Sequence, residues 1–200
     1  MKSSFSRNFS MAATILLLTL TILGASFQIQ INNFLEDTTI SRLTQDSQVV
    51  ANRASAYGMD GHLDSRDLML NLDVVSRVTN ADIVVCDNRG FILLCSDSLS
   101  GCNHDGWQLN PDFLDKVYES GGYSATGTIR NLYDEERYVV SAPIISGEHK
   151  LGIVIVSTPT AGTKQILNKI SNIFLTVSIF VVLIAVLGVM AFARRESKPL

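Results

Sequence analysis

Cys86, Cys95 and Cys102, with His104 just behind them, are the residues best suited to covalent or metal chemistry. Thiolate and imidazole are good zinc ligands, but the paired C-x-x-C spacing typical of zinc sites is missing. Cys95 and Cys102 are close enough to bridge if they meet an oxidising compartment, and closing so short a loop contributes roughly 2.5 kcal/mol by chain entropy when unstrained. Free thiols are the third reading. Cys86 lies in an apolar run and reads as a small buried hydrophobe. His62 and His104 read as loop residues. The acids around Asp112 and Asp115, and those at Asp134, Glu135 and Glu136, read as solvated faces. The serines are not arranged with a histidine and an acid in any pattern that suggests nucleophilic catalysis. The expectation is no catalytic residue, no metal and no cofactor.

These residues cluster around a predicted β-hairpin. Residues 83–86 and 91–95 are apolar and rich in branched or aromatic side chains, which suit a buried pleated surface. Asp87-Asn88-Arg89-Gly90 between them supplies turn chemistry, since Asp and Asn bond their own backbone and Gly tolerates positive φ. Before the hairpin, residues 65–79 read as a helix with Leu68, Leu72, Val75 and Val78 on one face and Ser65 as its cap. After it, residues 96–110 read as a polar loop, and residues 111–120 as a short helix with Pro111 in its first turn and Gly121-Gly122 at its end. Strands are expected over 123–130, 137–145 and 151–157, joined by short turns and so antiparallel. The fold class is α+β, a long N-terminal helix with an antiparallel sheet.

Two apolar segments flank this core. No charge occurs between Arg7 and Glu36, and a helix over 9–31 is about 34 Å long, enough for a hydrocarbon core of about 30 Å. A cleaved signal peptide is the rival, but its apolar run is usually shorter. Residues 25–57 hold no Gly or Pro, so the helix is expected to continue to about residue 56. Its stripe of Ile31, Phe34, Leu35, Ile40, Leu43, Val49 and Val50 either packs on its own domain or forms a dimer seam. Residues 170–193 carry no charge and form the second predicted span, closed by Arg194-Arg195. Between Asn32 and Lys169 stand eleven Lys/Arg against eighteen Asp/Glu, whereas the ends hold five Lys/Arg against Glu196 alone. An acidic middle does not suit nucleic acid. Basic tips place both termini in the cytoplasm and residues 32–169 outside the membrane.

The order span, long helix, helix, two strands, loop, short helix, three strands, span resembles the single Cache (PDC-type, PAS-like) sensor region of two-span bacterial receptors. Val85-Cys86-Asp87-Asn88-Arg89-Gly90-Phe91-Ile92-Leu93 is similar to that family's hairpin, and Cys102-Asn103-His104-Asp105-Gly106 to the His-x-Gly that follows it. Residues 194–200 look like the start of a HAMP linker, with its proline at Pro199. The resemblance divides the chain into a cytoplasmic tail (1–8), a first span (9–31), a sensor domain (32–169), a second span (170–193) and a linker (194–200). It implies a small-molecule ligand held between the sheet and the loop and short helix over one face, with Trp107, Tyr123, Arg130, Arg137, Tyr138 and Ser141 as candidates. Arg130 is suited to clamping a carboxylate. It also implies a homodimer in the membrane, and an output lying beyond residue 200: a sensor histidine kinase with its response regulator, or else a chemoreceptor or cyclic-nucleotide enzyme. An anchored scaffold module that does not switch, and a tethered enzyme, are the rivals from other classes.

Overall fold

The computed structural model describes residues 2–59, 61–96, 104, 106–128 and 132–196. Its elements are α1 (Lys2–Gly58), α2 (Arg66–Thr79), β1 (Asp82–Asp87), β2 (Ile92–Cys95), α3 (Pro111–Ser120), β3 (Tyr123–Gly127), β4 (Arg137–Ser146), β5 (His149–Pro159) and α4 (Thr160–Glu196). The chain divides into two units, Glu36–Gly162 and the pair of segments Met1–Leu35 and Thr163–Leu200.

The first unit is built on a five-stranded antiparallel sheet of order β2-β1-β5-β4-β3. Side chains alternate between its faces. Ile83, Val85, Val154, Val156, Tyr138, Val140 and Ala142 meet Leu43, Val50 and Ala54 of α1 and Leu68 and Leu72 of α2. Val84, Cys86, Ile153, Ile155 and Val139 meet Leu109 and Leu114 and Val117 of α3 on the other face. β5 is the middle strand and is covered on both sides, which explains why its sequence, Gly152-Ile153-Val154-Ile155-Val156, is apolar without alternation. Gly152 faces Asp87 across the β1–β5 ladder, and a Cβ there would run into the carbonyl oxygen of Cys86.

Local signals account for the element ends. Ser65 Oγ accepts from Leu68 N at 3.3 Å, and Asn110 Oδ1 accepts from Asp112 N at 3.0 Å, each capping a helix start. Asp87 Oδ1 takes the N–H groups of Arg89 (2.9 Å) and Phe91 (2.8 Å), which closes the hairpin. The expected break between β4 and β5 is tighter than the sequence suggests: pairing continues to Ser146↔His149, with Gly147 at φ 59°. β3 ends at Gly127, short of the predicted residue 130. β5 runs on to Pro159, where a missing N–H is tolerated at a strand end, and α4 starts at the next residue. Thr160 N donates to Glu136 O at 3.0 Å and Thr160 Oγ1 to the same carbonyl at 3.1 Å.

In the second unit, the Phe27 and Phe174 rings stack at 5.5 Å. Gly24 lets them approach, since a Cβ there would lie 2.8 Å from Phe174 Cε1. Ser171 Oγ donates to Gln28 Oε1 at 2.6 Å. Ile22, Leu23, Ile173 and Ile184 are all more than half exposed. Ala13–Gly58 and Thr160–Gly188 each contain a stretch long and apolar enough to cross a membrane.

Candidate functional site

The face of the sheet under α3 holds a cavity of about 460 Å³, within the range of small-molecule sites. Its floor is Ile92 of β2 and Tyr123 and Ala125 of β3; its walls are Trp107, Gln108, Leu109 and Asn110, Phe113 of α3, and Thr128 and Leu132. The wall of residues 107–110 is held as a partial extra strand beside the hairpin. Ile92 N donates to Trp107 O and Leu109 N to Gly90 O, both at 2.9 Å, and Phe91 forms a bridge with Gln108. Gly90 sits at φ 88°, and a Cβ there would press on Leu109 O and Leu114 Cδ1, so the turn and the wall share one requirement for glycine. Phe113 and Tyr123 meet edge to face at 5.4 Å and 85°. Trp107 and Tyr123 remain 44% and 37% exposed.

Behind Trp107 a row of rings leads to a buried charge. Trp107 meets His104 at 5.5 Å, His104 meets Tyr133 at 5.7 Å, and Arg137 lies 4.2 Å from the centre of the Tyr133 ring. Arg137 is 4% exposed and holds the carboxylates of Asp82 and Glu135. A buried guanidinium with two carboxylates is neutralised where it stands, and stripping those partners away would leave a costly buried charge. Arg137 Nε and the Ser157 hydroxyl beside it are buried without a partner among the described residues.

The predicted site residues therefore separate. Trp107 and Tyr123 line the cavity. Arg137 lies at the far end of the ring row that begins at Trp107. Ser141 is 1% exposed and pairs with Tyr123 in the ladder. Tyr138 belongs to the opposite face, among the α1 and α2 contacts. Arg130 lies outside the described residues. Phe113, Leu109, Ala125 and Leu132 line the cavity and escaped the sequence reading. Ala125 could have been found from Tyr123, two positions away on the same strand face.

Cys86 is free and buried, and burial, with Asp87 adding to it, pushes its thiol far above the ordinary range, so it is unreactive. Cys95 is disulfide-bonded, with its Sγ 4.0 Å from His104 Nδ1. Cys102 lies outside the described residues. Tyr118 donates to Gly152 O at 3.0 Å; burial first, then Asp87 and Cys86, pushes its phenol up to about 12. Among the described residues no three His, Cys, Asp or Glu side chains gather as a metal site.

No family model and no curated protein matches the chain. Solved structures do. The sensor domain of the V. cholerae histidine kinase DctB superposes with a TM-score of 0.58 at 14% identity, over 74% of this chain and 59% of that one. The E. coli DcuS sensor domain superposes with a TM-score of 0.55 at 14% identity, over 68% of this chain and 98% of that one. The present chain thus spans little more than half of the DctB domain and nearly all of the DcuS domain. The fold of the sheet unit is similar to that of these domains, the PDC (Cache-like) fold.

Proposed function

We propose that this chain is the signal-input region of a membrane receptor. The cavity beneath α3 takes a small molecule outside the membrane, and α4 carries the result across it. The observation that carries this reading is the position of segment 132–136. Leu132 lines the cavity, Tyr133 packs on Arg137, and Glu136 O holds the backbone and side chain of Thr160, the first residue of α4. A ligand that prefers one arrangement of that segment shifts the population of α4 arrangements by the same free energy. Both termini then lie in the cytoplasm, in keeping with their basic residues, and the large exposed apolar side chains of the two candidate spans face lipid.

The output beyond residue 200 is a histidine kinase acting on a response regulator, reached through a HAMP-type linker, and the receptor works as a homodimer. A chemoreceptor output uses the same input logic. The Cys95 bridge is to Cys102: the two are close in sequence, and Cys86 is free. Mass spectrometry of non-reduced peptides checks the pairing, and two unlinked thiols would refute it.

The test of function is a fusion of residues 1–200 to the output half of a characterised receptor kinase, challenged with metabolite mixtures. Kinase activity should respond to a mixture, and Tyr123→Ala should abolish the response without loss of membrane insertion. A response that persists unchanged in Tyr123→Ala places sensing elsewhere.

A further inference from the structure

We infer that Arg137 is the positioning residue that fixes segment 132–136 against the sheet, and with it the first residue of α4; this rests on the proposed reading that the cavity beneath α3 drives α4. Arg137 opens β4, with Gly127 of β3 and Pro159 of β5 as its ladder partners. Its guanidinium, almost wholly buried, reaches out from there. Nη2 donates to the carboxylate of Asp82 at the start of β1, and to Ser157 O of β5 at 3.5 Å. Nη1 donates to Glu135 Oε1 at 2.6 Å. The guanidinium carbon lies 4.2 Å from the centre of the Tyr133 ring, within cation–π reach.

Segment 132–136 carries both the Tyr133 and the Glu135 contact, and it joins the two ends of the proposed signal. Leu132 at its start is cavity wall. Glu136 at its end accepts the N–H and the hydroxyl of Thr160 on its carbonyl oxygen. Trp107, also cavity wall, reaches Tyr133 through His104. Two paths from the cavity thus converge on Tyr133, and Arg137 ties that stretch to β1 and β5. A guanidinium can do this because its planar fork offers donors to two carboxylates at once, which a lysine ammonium presents only as a point charge. The two arms differ in what they hold: Asp82 belongs to the sheet, Glu135 to the segment. Breaking the Glu135 arm frees the segment while the cation keeps a carboxylate, so no buried charge is left unpaired. A ligand that moves Leu132 works against this arm, and the arm sets the resting population of arrangements at Thr160.

The test uses the fusion of residues 1–200 to a receptor-kinase output half, read without stimulus, and compares Glu135→Gln with Asp82→Asn. The two carboxylates are alike in exposure, 55% and 51%, and each variant removes one charge from the same guanidinium, so a purely structural role predicts the same effect from both. Glu135→Gln should change unstimulated output about threefold, the scale of a half-exposed ion pair. Asp82→Asn should lower the melting temperature of the purified chain at least as much as Glu135→Gln does, yet leave output near that of the parent. Arg137→Lys should follow Glu135→Gln in output; should it fail to fold, the two carboxylate variants still decide. Proteolysis confirms a folded sensor in each. Equal shifts in output from Glu135→Gln and Asp82→Asn, or no shift from Glu135→Gln, overturn the assignment. A shift confined to Glu135→Gln, beside a stimulus response that survives Tyr123→Ala, keeps Arg137 as the positioning residue for α4 and moves the ligand away from the cavity.

Discussion

Asp46 shows how a single side chain is held against its own preference. It sits on α1 with Oδ2 buried and unpartnered among the described residues. Burial raises its pKa, and Arg42 opposes this only in part. A carboxyl whose pKa is higher folded than unfolded favours the native state when protonated, so its stabilisation is present below about pH 3.8, the ordinary aspartate value, and is lost as pH rises through the raised value. Asp46→Asn should therefore raise the melting temperature of the purified chain at pH 7, and the gain should shrink toward zero below pH 3.8. Equal effects at both pH values would show that the side chain's charge is not the cause. The other residue-scale lesson is that a lone arginine in a strand is ambiguous in sequence. Arg137 was among the ligand-binding candidates, and its carboxylate partner Asp82, 55 positions away in the chain, cannot be read from the strand's own residues.

At the scale of elements, the β1–β5 ladder depends on one close approach. Gly152→Ala would drive a methyl group into the Cys86 carbonyl, and the strand must shift or lose pairing. Overpacking of this kind costs on the order of 1–3 kcal/mol; urea unfolding of the variant should show at least that loss, and an unchanged midpoint would mean the ladder is looser than described. Most elements were legible in the sequence because their signals are local: Ser65 and Pro111 at helix starts, the Asp87–Gly90 turn, Gly121 after α3. The cavity was less so. Which face a strand residue occupies depends on register, and Tyr138 and Tyr123 fall on opposite faces although both are aromatic strand residues. Phe113 was hidden for a related reason, since its part in the cavity follows from how α3 lies over β3.

At the scale of the whole molecule, two apolar helical segments precede and follow the sheet unit in the sequence, and the proposed topology rests on the charge distribution along the chain. Engineered cysteines at Glu148 and Ser3 test this in intact cells. An impermeant maleimide should label the first and not the second; labelling of Ser3→Cys would contradict the two-span topology. The proposed transmission runs through the join of β5 and α4, where Pro159 ends the middle strand and Thr160 begins the helix with its N–H and hydroxyl tied to Glu136. Two glycines inserted after Gly162 would break α4 where a Cβ on Gly162 would touch nothing within 4 Å, so packing is spared. In the receptor fusion, with proteolysis confirming a folded sensor, output should stop following the stimulus. Full-amplitude response in that insertion variant would contradict coupling through α4 and move the signal to the first span or to dimer association.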